Sequence, residues 1–299
     1  MSTILVSGLV NMETTVKIQS FPIDYSPIHF PFFGVNSFPA GVGLNLSIAF
    51  RTLGDEVKLL SLIGNDTTAS IIKNELETRN IETKYLIEEL TNTSQSVILY
   101  DNWGKRQIYC DLKDIQERSY KEDLFIDAAK DCDIICLCNI NFSRNLLPIA
   151  KEMGKLIATD VQVLGDIYDT YNADFMKYSD ILFMSNENIH ESVEDFIAKI
   201  AAVYDNKIIV VGLGSEGALL YVKNDNFIGR FPAVYTREVV NTIGAGDSLF
   251  SSFIHFYSID ANPYEAIKKA IVFASYKIGS SGAAQGFLTS QELEKWYNN

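Results

Sequence analysis

The residues best suited to chemistry in this 299-residue chain lie in NTIGAGDSLF, residues 241–250. Gly244, Ala245 and Gly246 run into an apolar segment whose Leu249, Phe250, Phe253, Ile254, Phe256 and Tyr257 recur at helical spacing. A glycine turn that opens a helix presents backbone N–H groups to an anion. Asp247 follows the turn at once, where the helix dipole favours a carboxylate and a cap alone would account for it. The alternative uses both features. The N–H groups of Gly244, Ala245 and Gly246 would stabilise charge on a transferring phosphoryl group while Asp247 accepts the proton of an attacking hydroxyl. An ordinary Asp, with a pKa near ~3.9, is a weak base toward an alcohol, so the proton would move late, as the new P–O bond forms.

Such a turn needs a scaffold, and the rest of the chain supplies a rhythm for one. Short apolar runs alternate with helical patterns: VKLLSLIG then DTTASIIKNELETRN, DIICLCNI then SRNLLPIAKEMG, KLIATDV, ILFMS then SVEDFIAKIAAVY, and KIIVVGLG before a mostly helical C-terminal part. This order predicts an α/β fold with a mostly parallel sheet covered by helices. Two segments break the rhythm. VSGLVNMETTVKIQSFPIDYSPIHFPFFGVNSFPAG has β-branched and aromatic residues without a helical period, and SVILYDNWGKRQIYCDL reads as a hairpin turning at Asn102-Trp103-Gly104. Together they predict a small antiparallel sheet beside the main one, placed to act as a lid.

VVGLGSEGALLY contains Gly212, Gly214 and Gly217 as a literal GxGxxG, but a dinucleotide site needs a helix to start inside that motif. Here ALLYVKNDNFIGRFPAV follows, alternating residues around Lys223-Asn224-Asp225-Asn226 that predict a β-hairpin. The glycines therefore serve a tight turn or the close approach of some other ligand to the sheet edge. No GxxxxGK[ST] P-loop occurs.

Composition narrows the classes. With 47% hydrophobic and 21% charged residues the chain reads as globular, long enough to bury a sizeable core. A net charge of -13 argues against a nucleic-acid partner. No apolar run approaches the roughly 20 residues of a membrane span, and MSTILVSGLV reads as a buried strand rather than a signal peptide, so a cytoplasmic location is expected. Cys132, Cys136 and Cys138 sit in the apolar DCDIICLCNI and read as reduced core thiols, since no further ligand follows at metal spacing. His29, His190 and His255 fall in no metal or Ser/His/Asp spacing.

Taken together, these segments carry a resemblance. NTIGAGDSLF is similar to the DTxGAGD signature of the ribokinase-like or PfkB family of ATP-dependent sugar and nucleoside kinases, and PAGVGLNLSIAFRTLG, Pro39 to Gly54, to that family's GG-x-x-x-N-x-A-x-x-x-x-x-LG motif. GLGSEGALL sits where the family has a strand-turn-strand segment beside the nucleotide, and order and spacing match over essentially the whole chain. The resemblance implies a three-layer α/β/α ribokinase-like domain spanning residues 1–299, with lid segments at about 10–38 and 94–112. It implies transfer of the γ-phosphoryl group of ATP, with Mg²⁺, to a hydroxymethyl group. Asp247 matches the catalytic base and Gly244, Ala245 and Gly246 the anion hole. Asn11, Glu13 and Asn45 match acceptor ligands, Gly41 and Gly43 let their loop come close, and Asn186, Gly214, Ser215, Gly217 and Thr242 match the nucleotide side.

The departures bear on selectivity. Glu13 stands where many sugar-kinase relatives have Asp, Ala40 replaces the first glycine of the GG pair, and Val42 replaces a frequent polar residue. Asn241 replaces the Asp that helps hold a monovalent cation in potassium-activated members, and the lost charge weakens the case for K⁺. The family's NxxE would be Asn186 to Ile189 and lacks its acid, leaving Glu187 or Glu191 for a water-mediated Mg²⁺ contact. Phe21, Tyr25, Phe30, Phe32, Phe33 and Phe38 would either stack on a nucleobase or pack the lid against the core or a second subunit, which favours a homodimer through the lid. A sugar is the expected acceptor. GVGLN is also similar to the PGGVGxN run of pseudouridine kinases, which keeps a nucleoside as the second reading. The missing NxxE acid and Asn241 leave a third, a catalytically weak relative that binds a metabolite.

Overall fold

The computed structural model describes residues 2–103 and 105–298; Gly104, in the expected turn at 102–104, lies outside them. Thirteen strands run as β1 (Thr3–Ser7), β2 (Asn11–Lys17), β3 (Val35–Ala40), β4 (Glu56–Gly64), β5 (Leu86–Leu90), β6 (Gln95–Tyr100), β7 (Arg106–Asp111), β8 (Ile134–Leu137), β9 (Leu156–Val163), β10 (Ile181–Ser185), β11 (Ile208–Gly212), β12 (Ala218–Val222) and β13 (Phe227–Phe231). The α-helices are α1 (Val42–Leu53), α2 (Thr67–Thr78), α3 (Glu122–Ala129), α4 (Asn141–Arg144), α5 (Leu146–Glu152), α6 (Ala173–Tyr178), α7 (Val193–Val203), α8 (Ala245–Asp260), α9 (Pro263–Lys277) and α10 (Ser290–Tyr297).

Nine strands form one sheet in the order β13-β12-β11-β10-β9-β8-β1-β4-β5, parallel from β5 to β11 and antiparallel at the β11-β12-β13 edge. Its central strands are continuous apolar runs because both faces are covered. Successive side chains point to opposite faces: Ile4, Val6, Ile208 and Val210 join the core under α1, α8 and α9, while Leu5, Ile209 and Val211 join the core under α3, α5 and α7. This gives three layers, helices on each side of one sheet. The hairpin expected around residues 223–226 is β12-β13.

The second sheet has the order β3-β2-β6-β7, with β2 antiparallel to β3, parallel to β6, and β6 antiparallel to β7. Along β2 burial alternates, so Asn11, Glu13 and Thr15 face inward. Ile98 of β6 packs with Ile243 and Ala283, fastening this sheet to the segment that precedes α8. Of the aromatics expected to stack on a nucleobase or to pack the lid against the core or a second subunit, Tyr25 is 94%, Phe32 85% and Phe33 101% exposed in the loop between β2 and β3.

Cys132, Cys136 and Cys138 are buried, and Cys110 is exposed on β7. His255 of α8, scattered in sequence from any partner, is buried between Asp55 (Nδ1 to Oδ2, 2.6 Å) and Ser290 (Nε2 to Oγ, 3.2 Å). The Ser290 hydroxyl donates to the Leu53 carbonyl, so the trio is a clamp of α8 and α10 on the end of α1 rather than an activated nucleophile. Among the described residues no helix is long and apolar enough to cross a membrane.

Candidate active site

The N-terminus of α8 rests on Gly244, which has φ +74° and makes no side-chain cap. A Cβ there would lie 2.6 Å from the Ala283 carbonyl oxygen, so the turn needs glycine for both conformation and space. The first-turn N–H groups of α8 have no intrahelical acceptor; that of Ala245 reaches Thr242 O at 3.2 Å. Gly246 is exposed, and the nearest atom to a Cβ built there is Asp160 Oδ2 at 4.0 Å. The mouth of the turn is therefore open.

Asp247 is half-buried and accepts a 2.7 Å hydrogen bond at Oδ2 from Asn45 Nδ2. Burial pushes its carboxyl pKa up, against the pull of Asn45, Lys277 and Arg106. Asn45 gets there because α1 starts unusually close to the chain between β1 and β2. A Cβ on Gly41 (φ +99°) would meet Leu9 O at 2.5 Å, and one on Gly43 would meet the Gly8 carbonyl at 2.7 Å. These two glycines serve backbone packing first, and that packing delivers Asn45 to Asp247.

Asn11 and Glu13 arrive from the inward face of β2. Asn11 Nδ2 donates to Ser96 Oγ at 3.1 Å. Among the described residues, three buried acceptors here have no hydrogen-bond partner: Asn11 Oδ1, Glu13 Oε1 and Asn45 Oδ1. Burial pushes the Glu13 carboxyl up to about 7, Asp247 adding to the rise while Lys277 and Arg106 oppose it. Unpartnered buried acceptors are costly, and a ligand rich in O–H donors would satisfy them.

Three residues with no motif behind them join this group. Asp160, on β9, lies beside Gly246, its carboxyl pushed up to about 6 by burial, against the Gln162 N–H and with Asp247 adding. Arg106 of β7 comes within 3.5 Å of Thr242 Oγ1. Lys277 ends α9, is fully buried, and its ammonium donates to the Ile243 carbonyl. A signal for Lys277 existed, since it continues the buried stripe Ala270, Phe273 of α9. Asp160 sits in the later half of a parallel strand, toward the edge where open α/β sheets bind ligands.

The nucleotide-side residues are spread over the ends of β10 and β11. Asn186 N–H donates to Gly212 O at 3.2 Å, and Gly214 (φ +59°) opens a short 3₁₀ turn containing Ser215, with empty space beside it. Gly217 (φ +102°) is explained by the hairpin, since a Cβ would lie 2.1 Å from Phe231 O. Asn241 is committed to the turn: its Nδ2 donates to Ser281 O at 2.7 Å and its Oδ1 accepts from Ile243 N–H at 3.0 Å. Glu191 pairs with Lys199 at 2.5 Å, and Glu187 is exposed. Among the described residues no three His, Cys, Asp or Glu side chains gather as a metal site. A cavity of about 310 Å³ opens between the second sheet and the turn, bordered by Thr15, Phe38 and Tyr100 on one side and Asn241, Ile243 and Gln285 on the other.

Residues 1–290 match the pfkB family carbohydrate kinase model. The chain belongs to that family. It is 25% identical over 301 residues to the ribokinase of Lactococcus lactis, covering 98% of this chain and 96% of the relative. It is 23% identical over 252 residues to a fructosamine kinase of Bacillus subtilis, covering 82% and 86%. Among solved structures, a microbiome-derived acarbose kinase superposes with a TM-score of 0.90 at 21% identity, over 100% of this chain and 99% of that one. The ribokinase of Thermotoga maritima does so at 0.82 and 23%, over 100% of each. These neighbours establish the ribokinase-like fold, and family membership makes the PfkB chain a kinase, a phosphotransferase.

Proposed function

We propose that this PfkB-family kinase moves the γ-phosphoryl group of ATP to a hydroxymethyl group of a sugar, as one catalytic unit with the four-stranded sheet as its lid. The observation that carries the acceptor class is the set of three orphaned oxygens on Asn11, Glu13 and Asn45 beside Asp247. Sugar hydroxyls donate to such acceptors. In the transfer, the acceptor oxygen bonds to Pγ, the Pγ–O bond to the β-phosphate breaks, the hydroxyl proton goes to Asp247, and ADP leaves. The uncapped αL turn fits a phosphate, with its first-turn N–H groups as the anion hole. In this reading Asn186, Gly214, Ser215 and Thr242 take the donor side, at the ends of β10 and β11 and just before the turn. Bound Mg²⁺ would neutralise charge on the β- and γ-phosphates, and Asp160 or Glu187 are the carboxylates suited to hold it, directly or through water. One carboxylate suffices for an ion that keeps most of its waters.

A nucleoside acceptor is the second reading, favoured by the aromatic faces of Phe38 and Tyr100 at the cavity. ADP release measured over pentoses, hexoses, sugar amines, hexose phosphates and nucleosides separates the two. Turnover confined to nucleosides would overturn the sugar reading.

Glu13 gives a testable pH dependence. Its carboxyl, at about 7 in the folded chain against an ordinary 4.5, binds more protons folded than unfolded between those values. Stability from this group is full below pH 4.5 and is lost as pH rises through 7. Glu13→Gln should therefore raise stability at pH 8 by on the order of 1–3 kcal/mol while weakening acceptor binding, an increase in KM with little change in kcat. Thermal melts at pH 5 and 8 with acceptor titrations check both halves, and an unchanged acceptor KM removes Glu13 from the site.

The exposed aromatics of the β2-β3 loop propose a homodimer through the lid. Phe30 and Phe32 stack at 6.3 Å with nothing above them, and Tyr25 and Phe33 are bare. Phe32→Ser with Phe33→Ser should shift a dimer to monomer in analytical ultracentrifugation. A wild-type chain that sediments as a monomer at high concentration rules this surface out.

A further inference from the structure

Lysine is almost never fully buried without a partner, and Lys277 has none of the usual kind. No carboxylate lies within ion-pair distance of its ammonium among the described residues; its one hydrogen-bond acceptor there is the carbonyl of Ile243. That carbonyl belongs to the last residue before the αL glycine of the turn. The surrounding segment is laced to the end of α9 by further bonds. Val240 and Asn241 N–H groups donate to Ile278 O at 2.9 and 3.2 Å, and Arg237 Nε donates to Tyr276 O at 2.6 Å. Lys277 differs from these in carrying its charge into the interior, where Asp247 of α8 and Glu13 of β2 attract it and Arg106 of β7 and Arg237 repel it.

We propose that Lys277 is a positioning residue for phosphoryl transfer, a cation built into the chain that holds the Ile243 carbonyl beside the anion turn and balances the paired charges of Asp247 and Glu13. The proposal rests on the kinase reading of the site. The reason is electrostatic. The charge of Asp247 raises the cost of ionising Glu13, and the nearby ammonium lowers that cost for both carboxylates in a medium where charges are weakly screened. It also takes the place of a free monovalent cation at this turn, since Asn241 has its side chain committed to Ser281 and Ile243. Burial pulls the Lys277 pKa down to about 8, so the built-in charge is present at neutral pH and fades above it.

The test uses the full-length kinase with Mg²⁺-ATP and the acceptor that the wild type turns over best. Lys277→Met keeps length and apolar volume, and should lower kcat by about 10- to 100-fold with KM for ATP changed less than about threefold. Lys277→Arg retains the charge and should move the alkaline fall in rate upward from about pH 8. The truncated Lys277→Ala should regain rate with added methylammonium, and the wild type should be indifferent to exchange of K⁺ for Na⁺. Circular dichroism and melting confirm that each variant is folded. Wild-type kcat in folded Lys277→Met, or strong K⁺ activation of the wild type, overturns the proposal. If instead wild type and Asp247→Asn turn over equally, the kinase reading of Asp247 fails first, which a defect confined to Lys277 variants does not imitate.

Discussion

Asp247→Asn is expected to lower kcat by about 100- to 10,000-fold, the range for loss of a general base, while leaving ATP affinity within a few-fold. The substitution keeps the shape of the side chain. Its amide oxygen can still accept from Asn45 Nδ2, so the Asn45 contact survives. What disappears is the ability to take a proton. Burial has raised the Asp247 pKa, which makes it a better base toward an alcohol than the ordinary carboxylate the sequence suggests. Loss of its charge also lowers the cost of ionising Glu13, so melting temperature should hold or rise. Steady-state rates, ATP titration calorimetry and a thermal melt on one preparation are the measurements. Turnover within a few-fold of wild type would leave Asp247 as a helix cap and nothing more.

How far the sequence could be read depended on how local each signal was. The strands β1, β8, β10 and β11 were legible because a parallel strand covered on both faces is a continuous apolar run, whatever else the fold does. The glycine turn and Asp247 were legible for the same reason, since turn, dipole and carboxylate sit within four residues. Contacts across the chain were not. The Asn45–Asp247 bond spans 202 positions, and although each residue stood in its own motif, nothing in either motif announces the other's carboxylate or amide. Gly41 and Gly43 let their loop come close, and that the close neighbour is the backbone of Gly8 and Leu9 is visible only once α1 is set against the chain between β1 and β2. His255 meets Asp55 and Ser290 through the same kind of long-range meeting. The aromatics of residues 21–38 leave nucleobase stacking, packing on the core and packing on a second subunit all open in the sequence, and the fold leaves Tyr25, Phe30, Phe32 and Phe33 exposed. Asp160 and Lys277 carried no motif at all; their part in the site comes from desolvation and neighbouring charge, properties of the assembled fold.

Gly244→Ala should damage both stability and rate. The residue sits at φ +74°, where a Cβ costs roughly 1–2 kcal/mol, and that Cβ would approach the Ala283 carbonyl to 2.6 Å, closer than side chains pack. Forcing it in adds about 1–3 kcal/mol, so a loss of about 2–5 kcal/mol is expected if the turn keeps its place. The chain has an easier escape in moving residues 243–246, which carries the N–H donors off target and pulls the Ile243 carbonyl from Lys277. Either route damages the anion hole, and kcat should fall by about 100-fold or more, with ATP affinity falling too. Gly246→Ala separates the two effects. Its site is open, and alanine favours the helix by about 1 kcal/mol, so this variant should melt no lower than wild type. Its methyl group nevertheless stands at the mouth of the turn, and kcat should drop sharply in a stable protein. Loss of both stability and rate at Gly244, set against loss of rate alone at Gly246, is what an anion hole built on an αL glycine requires. A Gly244→Ala chain as stable and active as wild type would mean that the phosphoryl group is held elsewhere.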